Sequence, residues 1–197
     1  LHDALPISGG EIMISLQRNW VLSLLLAIIT IWIVNRMIPV RVDHNVLLDI
    51  TKNKVGIFNI NQARDVESSK KVWVDKLDLH QKHRFMHPKL NNVAGYTHNF
   101  FVDVTHTIKV RKSGTYEFYV GSDDGFVLSV NDKKLCEFQR DRPFAIQTCP
   151  INLTEGSHLV KISYFQGGGN SGFSVQYALK GEKKEWFGIS NRWVNFK

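Results

Sequence analysis

The chain has 197 residues, of which 43 % are hydrophobic, 11 % aromatic and 22 % charged, so it can bury one good core but hardly two. Five prolines, 14 glycines and no repeat or low-complexity run exclude a disordered or solenoid protein. The formal net charge of +7 suits anionic partners such as acidic polysaccharide or phospholipid, but the basic residues are dispersed and form no nucleic-acid-binding motif, so no nucleic-acid partner is expected.

Residues 1–12, LHDALPISGGEI, do not open with methionine, whereas Met13 begins MISLQRNW, a short basic stretch of the kind that starts a signal anchor. The first twelve residues are therefore read as a non-native or upstream segment and set aside from the fold. Residues 20–34, WVLSLLLAIITIWIV, carry no charge. Extension through Met37 and Ile38, with Arg36 snorkelling, brings the apolar run (20–38) near the ~20 residues a membrane span requires. Trp20 and Trp32 sit near its ends as interface aromatics do, and WIVNRMIPV has no small-x-small cleavage site. Residues 13–40 are thus expected to form an uncleaved signal anchor, making this a single-pass membrane protein. Arg18 on one side and Arg36 and Arg41 on the other leave orientation undecided by charge.

Residues 41–90 read as a linker with accessory strands. VRVDHNVLLDITKNKVGIFNI alternates enough for one or two strands, and the lysine-rich part that follows suits a loop or short helix. His80, His83 and His87 would share one face of such a helix; zinc ligation is one reading and a solvated face the other, with Pro88 ending any helix there.

The next stretch, GTYEFYVGSDDGFVLSV (114–130), carries the most chemical information. Tyr116, Phe118 and Val120 alternate on one face, and Phe126, Leu128 and Val130 repeat the pattern beyond a turn. In that turn stand Asp123 and Asp124. Two adjacent carboxylates make half of a hard-cation site, provided the backbone between them is unusual, since neighbouring strand side chains point to opposite faces. A plain Asx turn is the alternative. Cys136 and Cys149 bracket a polar loop; an even pair in an exported domain reads as a disulfide, against two buried free thiols in a cytosolic one. The disulfide reading puts the domain on the far side of the membrane, periplasmic or extracellular. Further on, a strand (158–165), the Gly-rich loop Gln166-Gly167-Gly168-Gly169-Asn170-Ser171-Gly172 and another strand (173–177) supply amide and carbonyl oxygens.

Taken together, GTYEFYVGSDDG, the partner FVLSVNDKKL, INLTEGSHLVKISYFQ and the Gly-rich loop resemble the protective-antigen (PA-fourteen) lectin-like β-domain family over roughly residues 91–179. The resemblance implies an all-β fold, an antiparallel β-sandwich or barrel over residues 91–197, here preceded by one transmembrane helix. It also implies a calcium ion held by Asp123 and Asp124, often across a cis peptide in this family. Gln166, Gly168 and Asn170 would complete the ion's shell, with Gly167 beside them, and sugar hydroxyls would bind the ion directly. The family's usual opening strand is not reproduced between His44 and His87.

No nucleophile elbow, P-loop, dinucleotide fingerprint or zinc-protease motif is present, and adjacent aspartates do not face each other across a cleft as an acid/base pair must. The expectation is a non-enzyme. Its function is then a membrane-tethered, calcium-dependent binder of glycans or polysaccharide, or alternatively a module that holds another envelope protein through a sheet face or edge. Trp186, Phe187, Trp193 and Phe196 could stack on sugars, although core or edge-covering roles suit large aromatics better.

Overall fold

The computed structural model describes residues 10–37 and 41–196. Residues 1–9 of the segment set aside above, and Ile38 of the apolar run, lie outside the described residues. Two compact units emerge, 1–41 and 42–197.

In the first unit, helix α1 (Gly10–Met37) runs without an interior proline or glycine. Its stretch Asn19–Met37 has a mean hydropathy of 1.9 and is long and apolar enough to cross a membrane. Such a helix satisfies its own backbone hydrogen bonds, the requirement any membrane-crossing segment must meet. The Arg36 guanidinium lies 4.8 Å over the Trp32 ring, drawing the one charge of this stretch along an apolar side chain.

The second unit contains only β-strands: β1 (Val46–Asn53), β2 (Val66–Val74), β3 (Asp78–Leu79), β4 (Phe100–Val110), β5 (Gly114–Asp123), β6 (Phe126–Val130), β7 (Lys133–Phe138), β8 (Ala145–Leu153), β9 (Gly156–Gln166), β10 (Gly172–Leu179), β11 (Glu185–Trp186) and β12 (Val194–Asn195). They build two antiparallel sheets. One has the order β2-β1-β4-β9-β6-β7 with β12 added to β4, the other β11-β10-β5-β8 with β3 added to β10. Period-2 alternation aims Val102, Val104 and Ile108 of β4 and Val160, Ile162 and Tyr164 of β9 at Tyr116, Phe118 and Val120 of β5 and Phe173, Val175 and Tyr177 of β10 in one shared core. Each such side chain contributes roughly 1.5–3 kcal/mol by leaving water.

Residues 41–90 belong to this same packed unit. Strand β1 lies inside the first sheet, between β2 and β4, and buries Leu48 and Ile50 completely. On the opposite face of the sheet, Ile57 and Ile60 from the β1–β2 loop pack on Phe101 and Phe165. No helix forms across the three histidines. Lys82 and His83 take left-handed φ values of 51° and 59°, which breaks any helical path and disperses the shared face expected for a zinc site. His87 is buried instead, 2.7 Å from Asp75 through Nε2, while its Nδ1 accepts the Lys89 and Leu90 N–H groups at 3.2 Å. That network fixes the tautomer with the proton on Nε2.

Phe187 and Phe196 join the core, whereas Trp186 and Trp193 are half-buried under cations: Lys76 stands 5.2 Å from the Trp186 ring and Arg192 4.5 Å from that of Trp193. Cys136 and Cys149 form a disulfide with a Cα–Cα distance of 6.1 Å. It joins β7, an edge of the first sheet, to β8, an edge of the second, and so closes one side of the sandwich.

Candidate cation-binding site

The two aspartates sit where the chain leaves one sheet for the other. Strand β5 belongs to the second sheet and β6 to the first, so the strands on either side of the turn do not pair with each other. The change of sheet makes the turn tight. Asp124 takes φ +70° and no cis peptide occurs among the described residues, so a left-handed residue makes the bend that the family resemblance assigned to a cis bond. Ser122 Oγ donates to the Asp124 carbonyl at 2.7 Å, and Arg142 Nη2 donates to Ser122 Oγ at 2.8 Å, which pins the turn from beneath.

Both carboxylates are buried, Asp123 at 8 % and Asp124 at 4 % exposure. Asp124 Oδ2 accepts the Gly167 N–H at 2.6 Å. Burial, partly offset by that hydrogen bond and reinforced by the neighbouring charge of Asp123, pushes the Asp124 carboxyl up to about 6. Asp123 is also raised by burial, although the Phe144 N–H and the nearby His80, His83 and Arg142 pull it back. Among the described residues neither carboxylate forms an ion pair. Two buried, adjacent and unpaired carboxylates are costly without a cation and suited to one.

The loop between β9 and β10 is the second wall. Gly167 is required at its place: a methyl group built there would lie 2.5 Å from the Ile57 carbonyl oxygen. The Gln166 carboxamide is fully engaged, its Nε2 donating to the carbonyls of Gly168 at 2.9 Å and Asn170 at 2.8 Å while its oxygen accepts from the buried Tyr164 hydroxyl at 2.5 Å. Its side chain, expected to reach an ion, thus braces the loop. Gly167 and Gly168 line a cleft of about 340 Å³ with Asp124, Asp141, Ile57 and Phe58. Asn170 is exposed on the same loop. On the other side, His80 stacks on Phe144 at 3.6 Å and fills the space that glycine leaves open at Gly172, the cross-strand partner of Asp123.

The donor set fits a hard cation. Asp123 and Asp124 offer hard carboxylate oxygens, and no group of three His, Cys, Asp or Glu side chains is placed to hold an ion among the described residues. Any remaining ligands therefore come from amide or main-chain oxygens, water or a ligand's hydroxyls.

Residues 94–191 match the PA14 domain family model. The chain carries a PA14 domain. Solved structures extend the likeness beyond the matched residues. The PA14 domain of the antifreeze protein MpAFP superposes with a TM-score of 0.56 at 15 % identity, over 76 % of this chain and 88 % of that one. A PA14 sugar-binding domain from an RTX adhesin gives 0.52 at 20 % identity, over 72 % and 93 %. The Epithelial Adhesin 9 A domain from Candida glabrata, in complex with Galb1-3GlcNAc, gives 0.52 at 13 % identity, over 72 % and 85 %. At these identities the likeness is one of fold. No curated protein sequence matches the chain.

Within the PA14 domain the structure places Asp124, Gly167 and Gly168 on one cleft with Asp141, Ile57 and Phe58, whereas Asp123 is buried beside Phe144, His80 and Arg142 and does not line that cleft. Asp141, Ile57 and Phe58 come from loops joined by an Asn59–Arg140 bridge and by the Ile60 N–H donating to the Gln139 carbonyl at 2.9 Å. Gln166→Ala is expected to lower stability by about 1–3 kcal/mol in urea unfolding, because it strands the buried Tyr164 hydroxyl and releases the loop carbonyls.

Proposed function

We propose that this PA14 domain is a calcium-dependent carbohydrate-binding module, held at a membrane by α1 with the β-unit on the periplasmic or extracellular side. The observation that carries the reading is the pair of successive buried carboxylates without an ion-pair partner among the described residues, of which Asp124 opens on a cleft. When bound, calcium supplies positive charge and open coordination positions suited to vicinal sugar hydroxyls. Asp123 and Asp124 hold it through their carboxylates. The Gly167 N–H orients Asp124, and Gln166 keeps the carbonyls of Gly168 and Asn170 drawn together at the rim. The sugar-binding description of the adhesin domain and the disaccharide bound to the Candida domain support a glycan as ligand. The disulfide supports an oxidising compartment and hence export.

A thermal-shift titration tests the cation. Calcium at about 100 times its dissociation constant is expected to stabilise the fold by ~2.7 kcal/mol, and Asp124→Asn to abolish that response. No shift in the wild-type melting temperature at millimolar calcium contradicts the reading and leaves the envelope-protein interaction module in its place.

A further inference from the structure

We infer that Phe58, on the loop between β1 and β2, is an aromatic platform for the apolar face of a pyranose ring, and that this loop sets which glycan the cleft accepts. The inference rests on the carbohydrate reading and names a residue outside the matched span 94–191. Phe58 is 72 % exposed, more than Val55 earlier on the loop, while Ile57 and Ile60 on either side of it are buried against Phe101 and Phe165. The loop around it is rigidly held. Gln62 Oε1 accepts the Phe58 N–H at 3.2 Å, Gln62 Nε2 donates to the Gly56 carbonyl at 2.7 Å, and the Asn61 N–H reaches Asn59 Oδ1 at 2.9 Å.

A lone exposed hydrophobic residue is ordinary on a protein surface. Phe58 differs in where it is held. It lines the cleft that contains Asp124, Asp141, Gly167 and Gly168, with the edge of its ring lying over Gly56, so an apolar residue and two carboxylate residues bound one space of about 340 Å³. The opposite loop cannot move away freely, since the Ile57 carbonyl sits against Gly167, whose N–H is bonded to Asp124. A backbone contact thus ties the loop that carries Phe58 to the glycine that holds the Asp124 carboxylate. A pyranose has the matching duality, with hydroxyls along an edge and a face of C–H groups. Its hydroxyls would meet the ion and Asp141 while the C–H face covers Phe58, removing the exposed ring from water. The core does not need this ring. Its flanking isoleucines already fasten the loop, which lets Phe58 vary without loss of fold.

The test uses the full chain in a non-glycosidic detergent with millimolar calcium. Saturation-transfer NMR titrations with methyl β-galactopyranoside, methyl α-mannopyranoside and methyl α-fucopyranoside measure affinity, and thermal shift measures calcium binding. Phe58→Ala is expected to weaken the bound glycoside about tenfold while leaving calcium stabilisation unchanged, and Phe58→Trp to retain binding. Wild-type affinity in Phe58→Ala overturns the platform, as does loss of the calcium response in that variant, which would make Phe58 a structural residue of the ion site. If the wild-type chain responds to calcium but binds none of the three glycosides, the carbohydrate reading itself falls and the platform with it.

Discussion

Replacing Cys136 and Cys149 together by serine is expected to lower the stability of the β-unit by about 3 kcal/mol, read as a fall in the urea midpoint. The bond closes a loop with a sequence separation of 13, and restricting the unfolded chain over a loop of that size accounts for an effect of about this magnitude. The folded-state consequence is local. Strands β7 and β8 are edges of different sheets, and the segment between them carries Asp141, Arg142 and Phe144, which line or support the aspartate turn. The double variant should therefore also show a smaller calcium response than wild type at equal temperature below its midpoint. A stability loss well under 1 kcal/mol would mean that sheet packing alone closes this side of the sandwich.

The second large effect runs against intuition. Without calcium, Asp124→Asn is expected to stabilise the protein at pH 7 by about 2 kcal/mol. Asp124 has a folded pKa of about 6, raised above its ordinary value of 3.8 chiefly by burial. A raised folded pKa means that the native state holds the proton more tightly than the unfolded chain. The associated stability is fully present below about pH 4 and is lost as pH rises through about 6. Asparagine keeps an oxygen for the Gly167 N–H but carries no charge, so the variant should lack this decline. Urea unfolding of the calcium-free proteins from pH 4 to 8 checks it: wild type minus variant should grow more negative across the window. Asp75 works in the opposite sense and is common to both proteins. Burial raises its carboxyl, but hydrogen bonds from His87 and Lys89 outweigh that and leave it lowered, so its contribution is lost on acidification. A variant less stable than wild type at pH 7 would indicate that Asp124 is an architectural turn residue. The expected gain marks a residue kept for binding at the expense of stability.

The local parts of this molecule were legible because their signals are local. Alternation in 114–120 and 126–130 marks β5 and β6, and the glycines of 166–172 mark the loop that meets Asp124. Alternation cannot say which sheet a strand joins. The step from the second sheet to the first at Asp123 and Asp124, which leaves two successive carboxylates buried, is therefore visible only in the fold. Strand β1 was readable as a strand but not as a central one, because its neighbour β4 follows after a long irregular stretch. The zinc reading of the histidines assumed a helix that left-handed residues at Lys82 and His83 do not permit. Gln166 ends β9 instead of standing in the loop, and its hydrogen bonds to Tyr164, Gly168 and Asn170 depend on partners that sequence position alone does not reveal as donors or acceptors. Phe58 and Asp141 carry no motif. The Asn59–Arg140 bridge and the Ile60-to-Gln139 hydrogen bond bring their loops together at the cleft.

A glycan array probed with the full chain in calcium and again in chelator tests the central claim most directly. The account predicts a restricted set of bound glycans presenting vicinal hydroxyls, with binding lost in chelator, restored by added calcium and absent from Asp124→Asn. Binding that persists unchanged in chelator, or no glycan bound by a protein that calcium demonstrably stabilises, would contradict it.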